Sequence, residues 1–534
     1  MHDAEGRKGR RRPATMTRAT VPGCRGAVLA CCVAFLAVAC GESQTTVPAA
    51  THPSPAIPAL LPLHATRGEQ PGIYDSVGRQ VLLRGVNLNA LGDYYQPNPA
   101  YPTVIPLRAT DFPKMAEQGF DVVRLIMSWS LLEPSRGEIS TDYLRQIHAA
   151  VAAAKASGIY VVLDMHQDAW GKYIATPPGV TCPPNLERAV GWDGAPEWAT
   201  ITDGMSTCRV PGVRELSAAV KEAFANFYVD KDGIQTELIN TWAAVVREFA
   251  NEPAVAGYDL LNEPHFGNNL VDPAPQLAAF YTRLVPAIRT AEQQAGGQSH
   301  VIFFEPIPTW PADGTTPATD FTSDDNIVFA PHNYVESLTS FGADTLEQAF
   351  AIAAQDAAGY GTTFWIGEYG WFSDPPTNKA KVIRYARAED QMLVSGTWWQ
   401  WHQACGDPHT IGMDGGQPPA QLIHFNFTFC PGDVDGGPVP EWATVLSRPY
   451  PRAAPGRLLS LQSDGDATTL QLSGVADGTG GTALDLWVPD RGTGRPVVTG
   501  TGIGATRVID VTGGFRVLVD VSSGSYEVTA ALAP

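Results

Sequence analysis

Hydrophobic and polar positions follow two rhythms along this chain, and the rhythm changes near residue 448. Before that point, short apolar runs recur between longer stretches in which apolar residues return every three or four positions. Gly257–Asn262 and Thr363–Gly367 are the clearest runs; each is apolar on both faces, as a parallel strand covered on two sides must be. The same reading predicts strands at Leu83–Asn87, Val122–Met127, Tyr160–Met165, Val301–Glu305, Ile327–Pro331 and Gly396–Trp401. Between them, Asp142–Ser157, Glu215–Tyr228, Thr236–Phe249 and Gln276–Ala295 carry helical spacing. Gly72–Leu83 reads as a hairpin closing the bottom of the sheet that follows. Eight strand–helix units within about 370 residues predict an α/β fold, a TIM (β/α)8 barrel with insertions.

From residue 448 onward the picture is different. PYPRAAPG reads as a linker, and after Leu458 come short Val/Leu/Thr-rich alternations split by Gly and Asp, as in Thr468–Leu472, Ala483–Val488, Arg507–Val511, Phe515–Val519 and Tyr526–Ala530. They predict a C-terminal antiparallel β-sandwich over residues 448–534 beside a catalytic barrel over 67–447. Trp487 and Phe515 are read as sandwich core, with contact to sugar or membrane as the alternative.

The N-terminus changes the compartment. Arg7, Lys8, Arg10, Arg11, Arg12, Arg18 and Arg25 precede the apolar run Ala27–Ala39, which is too short to span a bilayer, so residues 1–39 read as an export signal. The segment LAVACGES resembles the lipobox of bacterial lipoproteins, which makes Cys40 the expected lipid anchor, with plain secretion as the alternative. Residues 40–66, rich in Thr, Pro and Ala, read as a flexible tether. The chain carries 36 basic and 55 acidic residues; removing the seven basic and two acidic residues before Cys40 leaves 29 against 53. So acidic a protein lacks the basic footprint that nucleic acid requires. Downstream of the signal no further apolar stretch is long enough to cross a membrane.

Four cysteines remain beyond Cys40: Cys182, Cys208, Cys405 and Cys430. In an oxidising compartment an even set predicts disulfides, and of three pairings the local ones, Cys182 with Cys208 and Cys405 with Cys430, each close a Pro/Gly-rich loop. No CxxC spacing is present, so no metal site is expected, and no residue pattern calls for a cofactor.

Chemistry concentrates at strand ends. Glu263 follows Asn262 where one run stops at Pro264, and Glu368 ends another run between aromatic residues and glycines. In a parallel barrel both face the C-terminal rim, and two carboxylates about a hundred residues apart point to glycoside hydrolysis by a retaining route.

With those residues in place the sequence resembles glycoside hydrolase family 5, retaining β-glycosidases on (β/α)8 barrels, over roughly residues 72–447. The family's second-strand arginine corresponds to Arg124, its histidine after the third strand to His166, its Asn-Glu pair to Asn262 and Glu263, and its His-x-Tyr to His332 and Tyr334. The resemblance implies Glu368 as nucleophile, Glu263 as acid/base, and Trp401 as an aromatic face for the sugar. LDMHQDAW (163–170) and GWDGAPEWAT (191–200) resemble the endoglycoceramidase branch, which implies Asp168 as a ligand of the first sugar and a glycosphingolipid as substrate. Phe224, Phe227, Tyr228 and Trp242, on the helices inserted after the third strand, are candidates for a ceramide channel or for core. Some ganglioside-cleaving relatives carry a lysine after the first strand, and Asn87–Tyr95 has none, which leaves a simpler or a galactose-linked glycolipid open. The alternatives are a family 5 enzyme acting on soluble β-glycosides or polysaccharide, and a non-catalytic carbohydrate-binding surface protein; the latter gains nothing from two intact glutamates.

Overall fold

The predicted barrel strands all form, and each is buried along its whole length, which is why their sequences run apolar without a break. The computed structural model describes residues 58–312, 316–338, 343–412, 415–478 and 480–533; the expected signal, Cys40 and most of the tether lie outside them. The barrel strands are β1 (Gly85–Leu88), β2 (Val122–Ser128), β3 (Tyr160–His166), β4 (Val255–Asp259), β5 (Val301–Phe304), β6 (Ile327–Phe329), β7 (Ile366–Tyr369) and β8 (Gly396–Trp398). Neighbours pair in parallel from β7 through β8 and β1 round to β6. The ring closes where β6 meets the approach to β7: the Phe329 N–H donates to Thr363 O (3.1 Å) and the Trp365 N–H to Phe329 O (2.9 Å). A Cβ on Gly257 of β4 would lie 2.1 Å from the Val301 carbonyl oxygen of β5, so only glycine lets these two strands close.

Inward positions recur every second residue, and their character changes along the strands. At the N-terminal end Val122, Val162, Val301, Phe303, Val328 and Trp365 pack into one apolar cluster. Two residues further along come Arg124 after Val122, Asp164 after Val162 and Glu305 after Phe303, with His166 two beyond Asp164. The apolar floor therefore carries a charged ceiling.

The helices follow their apolar spacing. Thr141–Ala156 buries Tyr143, Leu144, Ile147, Val151 and Ala154 on one face, and the Ser140 side chain caps it by accepting from the Tyr143 N–H. The helix predicted at Glu215–Tyr228 begins later, at Ala218, because the Ser217 hydroxyl oxygen accepts from the Val220 N–H and starts it there. Phe224, Phe227 and Trp242 are fully buried in the shell of the barrel, and the Tyr228 hydroxyl donates to His265 O; they pack as core, with Phe224 also bordering a small void beside Asp168 and Glu263.

At the other end, two sheets face each other. The four-stranded one comprises Arg457–Asp464, Thr469–Ala476, Gly524–Ala533 and Arg495–Thr501. The seven-stranded one borrows from both ends of the chain: Leu63–Thr66, Gly72–Asp75 and Arg79–Val81 continue through Tyr450–Pro455 into Ala483–Pro489, Gly514–Val521 and Ile503–Val511. Three expectations change here. The end of the expected tether, Leu63–Thr66, is a strand. The expected linker is a central strand, buried at every position, and its register shifts between Pro451 and Ala453, where proline cannot donate to the ladder. The hairpin does close the barrel floor, through Ile73 and Val81, but it belongs to this sheet as well. Trp487 and Phe515 are buried in the sandwich core. Both expected disulfides are present, Cys182–Cys208 and Cys405–Cys430. Among the described residues no helix is long and apolar enough to cross a membrane.

Candidate active site

Arg124 organises the ceiling of the barrel. It sits on β2, wholly buried, and its guanidinium reaches Asp259 (Nε to Oδ2, 2.9 Å), Asp164 (3.0 Å), Glu305 (2.9 Å) and Glu368 (Nη1 to Oε1, 2.8 Å). It also donates to Asn87 Oδ1 (3.2 Å) and Asn262 Oδ1 (3.0 Å). Four carboxylates around one arginine keep that arginine cationic in spite of its burial.

Glu368 lies in β7, one residue before its end, with its side chain 6% exposed. Its two oxygens accept from Arg124 and from the Tyr334 hydroxyl (2.8 Å), the arrangement an ionised carboxylate needs to be held and aimed. Burial pushes its pKa up and the neighbouring Glu263 adds to this, against the pull of His332 and Arg124. A Cβ on Gly367 would lie 2.9 Å from His332 Nε2, so the glycine makes room for that ring beside the carboxylates.

Glu263 stands past the end of β4, in a left-handed backbone conformation (φ 41°) fixed by its N–H donating to Glu305 Oε2 (2.8 Å). Oε1 faces His332 Nδ1 at 3.0 Å, and Oε2 accepts from Arg214 Nη2 at 3.0 Å. Burial alone would raise its pKa, but the hydrogen bond and charge of His332, with the charge of Arg214, outweigh burial and bring it to about 2. His332, between Glu263, Glu305 and Glu368, is held protonated: burial disfavours its charge, and the three carboxylates more than offset that. Carboxylate oxygens of Glu263 and Glu368 lie within 4.8 Å of each other and of a His332 nitrogen. That spacing leaves room for an anomeric carbon and a glycosidic oxygen between them.

His166 ends β3 with Nδ1 on Asp164 Oδ2 (2.8 Å) and its ring stacked on Trp399 (centroids 5.5 Å apart). Asp168 Oδ1 accepts from Arg214 Nη2 at 2.6 Å, and Oδ2 is 3.4 Å from His409 Nε2. Asn262 spends its oxygen on Arg124 and one N–H on Gln167 O (2.9 Å), which leaves the other Nδ2 N–H to donate. A cavity of about 530 Å³ opens here, its walls including Glu263, Glu368, His166, Asp168, Tyr334 and Trp399; Asn262 is buried behind them.

One expected site residue is elsewhere. Trp401 is buried, stacked on Phe425 (5.3 Å), with Nε1 directed to Asp111 Oδ1 (3.3 Å), and it lines no part of the cavity. β8 ends at Trp398, so the strand alternation cannot be carried on to Trp401, and Trp399 takes the wall. Apolar surface in the mouth comes from Leu338, Phe372 and Trp399 rather than from the inserted helices. Sequence reasoning also missed Glu305, which ended a predicted strand, Arg214 and Trp192, which come from loops with no periodicity to mark them, and His409, on the one-turn helix Pro408–Ile411.

A family model described as cellulase (glycosyl hydrolase family 5) matches residues 74–405. Endoglycoceramidase I of Rhodococcus hoagii (strain 103S) is 29% identical over 287 residues, 51% of this chain and 53% of that protein. The endoglycoceramidase of Cyanea nozakii is 27% identical over 271 residues, 45% of this chain and 50% of that protein. The chain thus matches about half the length of these curated relatives. Among solved structures, an endogalactoceramidase is 42% identical with a TM-score of 0.79, covering 88% of this chain and 100% of that one. Endo-glycoceramidase II from Rhodococcus sp., solved as a lactosyl–enzyme intermediate, is 25% identical with a TM-score of 0.66, covering 88% and 100%.

Proposed function

The chain belongs to glycosyl hydrolase family 5, and from that membership we propose that it is a retaining β-glycosidase hydrolysing the bond between glycan and ceramide in glycosphingolipids. The observation that carries the mechanism is the pair Glu263 and Glu368, brought from the ends of two strands to within 4.8 Å. Glu368 attacks the anomeric carbon as Glu263 gives its proton to the departing oxygen; a glycosyl ester forms on Glu368 and the glycosidic bond breaks. Water then attacks the ester, Glu263 takes a proton from it, and Glu368 leaves as a carboxylate. Arg124 and Tyr334 aim the nucleophile, His332 orients both carboxylates, and Asn262, His166 and Asp168 bind sugar hydroxyls with Trp399 against the ring. The lactosyl–enzyme intermediate of the Rhodococcus neighbour supports a covalent route.

The lipid half of the reading rests on the endoglycoceramidase relatives and on the apolar lip of Leu338 and Phe372. The identity to an endogalactoceramidase exceeds that to the Rhodococcus enzyme II, and this supports a galactose-linked ceramide as the first substrate to try. We place the protein outside the cytoplasm, either anchored to a membrane surface through lipid on Cys40 or secreted. The N-terminal basic and apolar runs and the two disulfides support this.

The test is digestion of galactosyl-, glucosyl-, lactosyl- and ganglioside ceramides beside a soluble aryl β-glycoside and a β-glucan, with Glu368→Gln as control. Intact glycan and ceramide released by the wild type alone support the proposal. Turnover of β-glucan with ceramides untouched contradicts it.

A further inference from the structure

Both oxygens of Glu263 are occupied by cationic donors, Oε1 by His332 and Oε2 by Arg214. A general acid needs one oxygen protonated and facing the leaving group, so one of these partners must let go. His332 is fixed from three sides, by Glu263 (3.0 Å), Glu305 (3.3 Å) and Glu368 (3.5 Å), at the end of the β6 segment. Arg214 is held differently. It projects from the turn Val210–Leu216, where the Val210 N–H donates to Leu216 O (3.0 Å), in the segment inserted after β3. Its side chain is 20% exposed and lies over the Trp192 ring (5.0 Å); Nε pairs with Glu215 and Nη1 lies 2.8 Å from His409 Nε2, contacts that hold the side chain in place when Nη2 lets go. One nitrogen, Nη2, bridges Glu263 (3.0 Å) and Asp168 (2.6 Å). A sugar hydroxyl hydrogen-bonding to Asp168 Oδ1 competes for the same place.

We propose that Arg214 is a positioning residue of the acid/base: it clamps Glu263 as a carboxylate until substrate enters and is displaced when the first sugar takes Asp168. This rests on the role proposed for Glu263 but not on the ceramide. The charged and titratable groups facing Glu263 are His332, Glu305, Glu368, Tyr334, Asp168 and Arg214. In this arrangement they leave Glu263 more acidic than usual and Glu368 less so. Double displacement needs the opposite order. Release of Arg214 removes a cation from Glu263 alone, while Arg124 stays on Glu368. The one proton the pair can share then belongs on Glu263.

The test is the pH profile of kcat/KM for 4-methylumbelliferyl and 2,4-dinitrophenyl β-galactosides or glucosides, whichever the wild type turns over. The dinitrophenolate leaves without a proton, so its turnover is blind to Glu263 protonation in the first step. With the methylumbelliferyl glycoside, Arg214→Gln and the stem-retaining Arg214→Met are expected to move the alkaline limb up by about one pH unit or more. Arg214→Lys keeps the limb near the wild-type position, and with the dinitrophenyl glycoside no variant shifts the profile. An unmoved alkaline limb in Gln and Met variants that melt like the wild type overturns the proposal, as does an equal shift with both leaving groups. If one variant does not fold, the other two still decide the question. Failure of the wild type on ceramides with turnover of aryl glycosides counts against the lipid substrate and leaves this test intact.

Discussion

The barrel holds a buried ion cluster at each end, and the two are built on opposite accounts of charge. At the floor, Arg84 and Arg448 meet Asp390, and Arg448 also meets Glu389 (2.8 Å), so two cations face two carboxylates. The cluster ties β1 to the helix Pro375–Met392, and Asp390 also accepts from the Ser463 N–H of the sandwich (3.1 Å). At the ceiling, four cationic groups, Arg124, His166, His332 and Arg214, stand among six carboxylates, those of Asp164, Asp168, Asp259, Glu263, Glu305 and Glu368. A balanced buried cluster fixes a joint. An unbalanced one leaves carboxylates that need a proton or a reacting carbon, which is what a catalytic site requires.

The largest expected effect breaks the ceiling without touching the fold: Glu368→Gln lowers hydrolysis by roughly 10⁴-fold or more, while the melting temperature stays near the wild type. The next separates the two ends. Arg448→Met leaves Glu389 and Asp390 short of a partner and costs about 3–5 kcal/mol in denaturant unfolding, yet kcat per folded molecule is unchanged. Arg124→Met lowers both stability and kcat. A third pair tests which indole serves the site: Trp401→Ala costs about 3–5 kcal/mol of stability, whereas Trp399→Ala raises KM with little change in melting. The smallest effect is Tyr334→Phe, which removes a hydrogen bond to a charged group and slows glycosylation by the equivalent of about 1.5–3 kcal/mol, measured as the pre-steady-state burst rate constant.

Much of the barrel was legible because a parallel strand covered on both faces has no choice but a continuous apolar run. All eight such runs are strands, with ends displaced by a few residues, as at Val255–Asp259. The glutamates at their ends were legible for the same reason, since a charge that terminates a buried run stands at a rim. Tyr450–Pro455 was not legible: prolines argue against a strand, and only tertiary pairing on both sides, with Arg79–Val81 and Ala483–Pro489, makes it one. Trp401 was misjudged because the strand was carried three residues past the end of β8 at Trp398. Arg214 has no local signal at all; the turn that carries it is set by the Val210–Leu216 hydrogen bond and by contacts with Asp168 and Glu263, distant in sequence.

The most direct measurement is to trap the intermediate with a 2-deoxy-2-fluoro glycoside carrying a good leaving group and to map the labelled peptide by mass spectrometry. Double displacement through these two glutamates predicts one sugar per enzyme, on Glu368, with Glu368→Gln unlabelled. A sugar on Glu263, or no covalent adduct from a reagent that the enzyme hydrolyses with inversion, contradicts it.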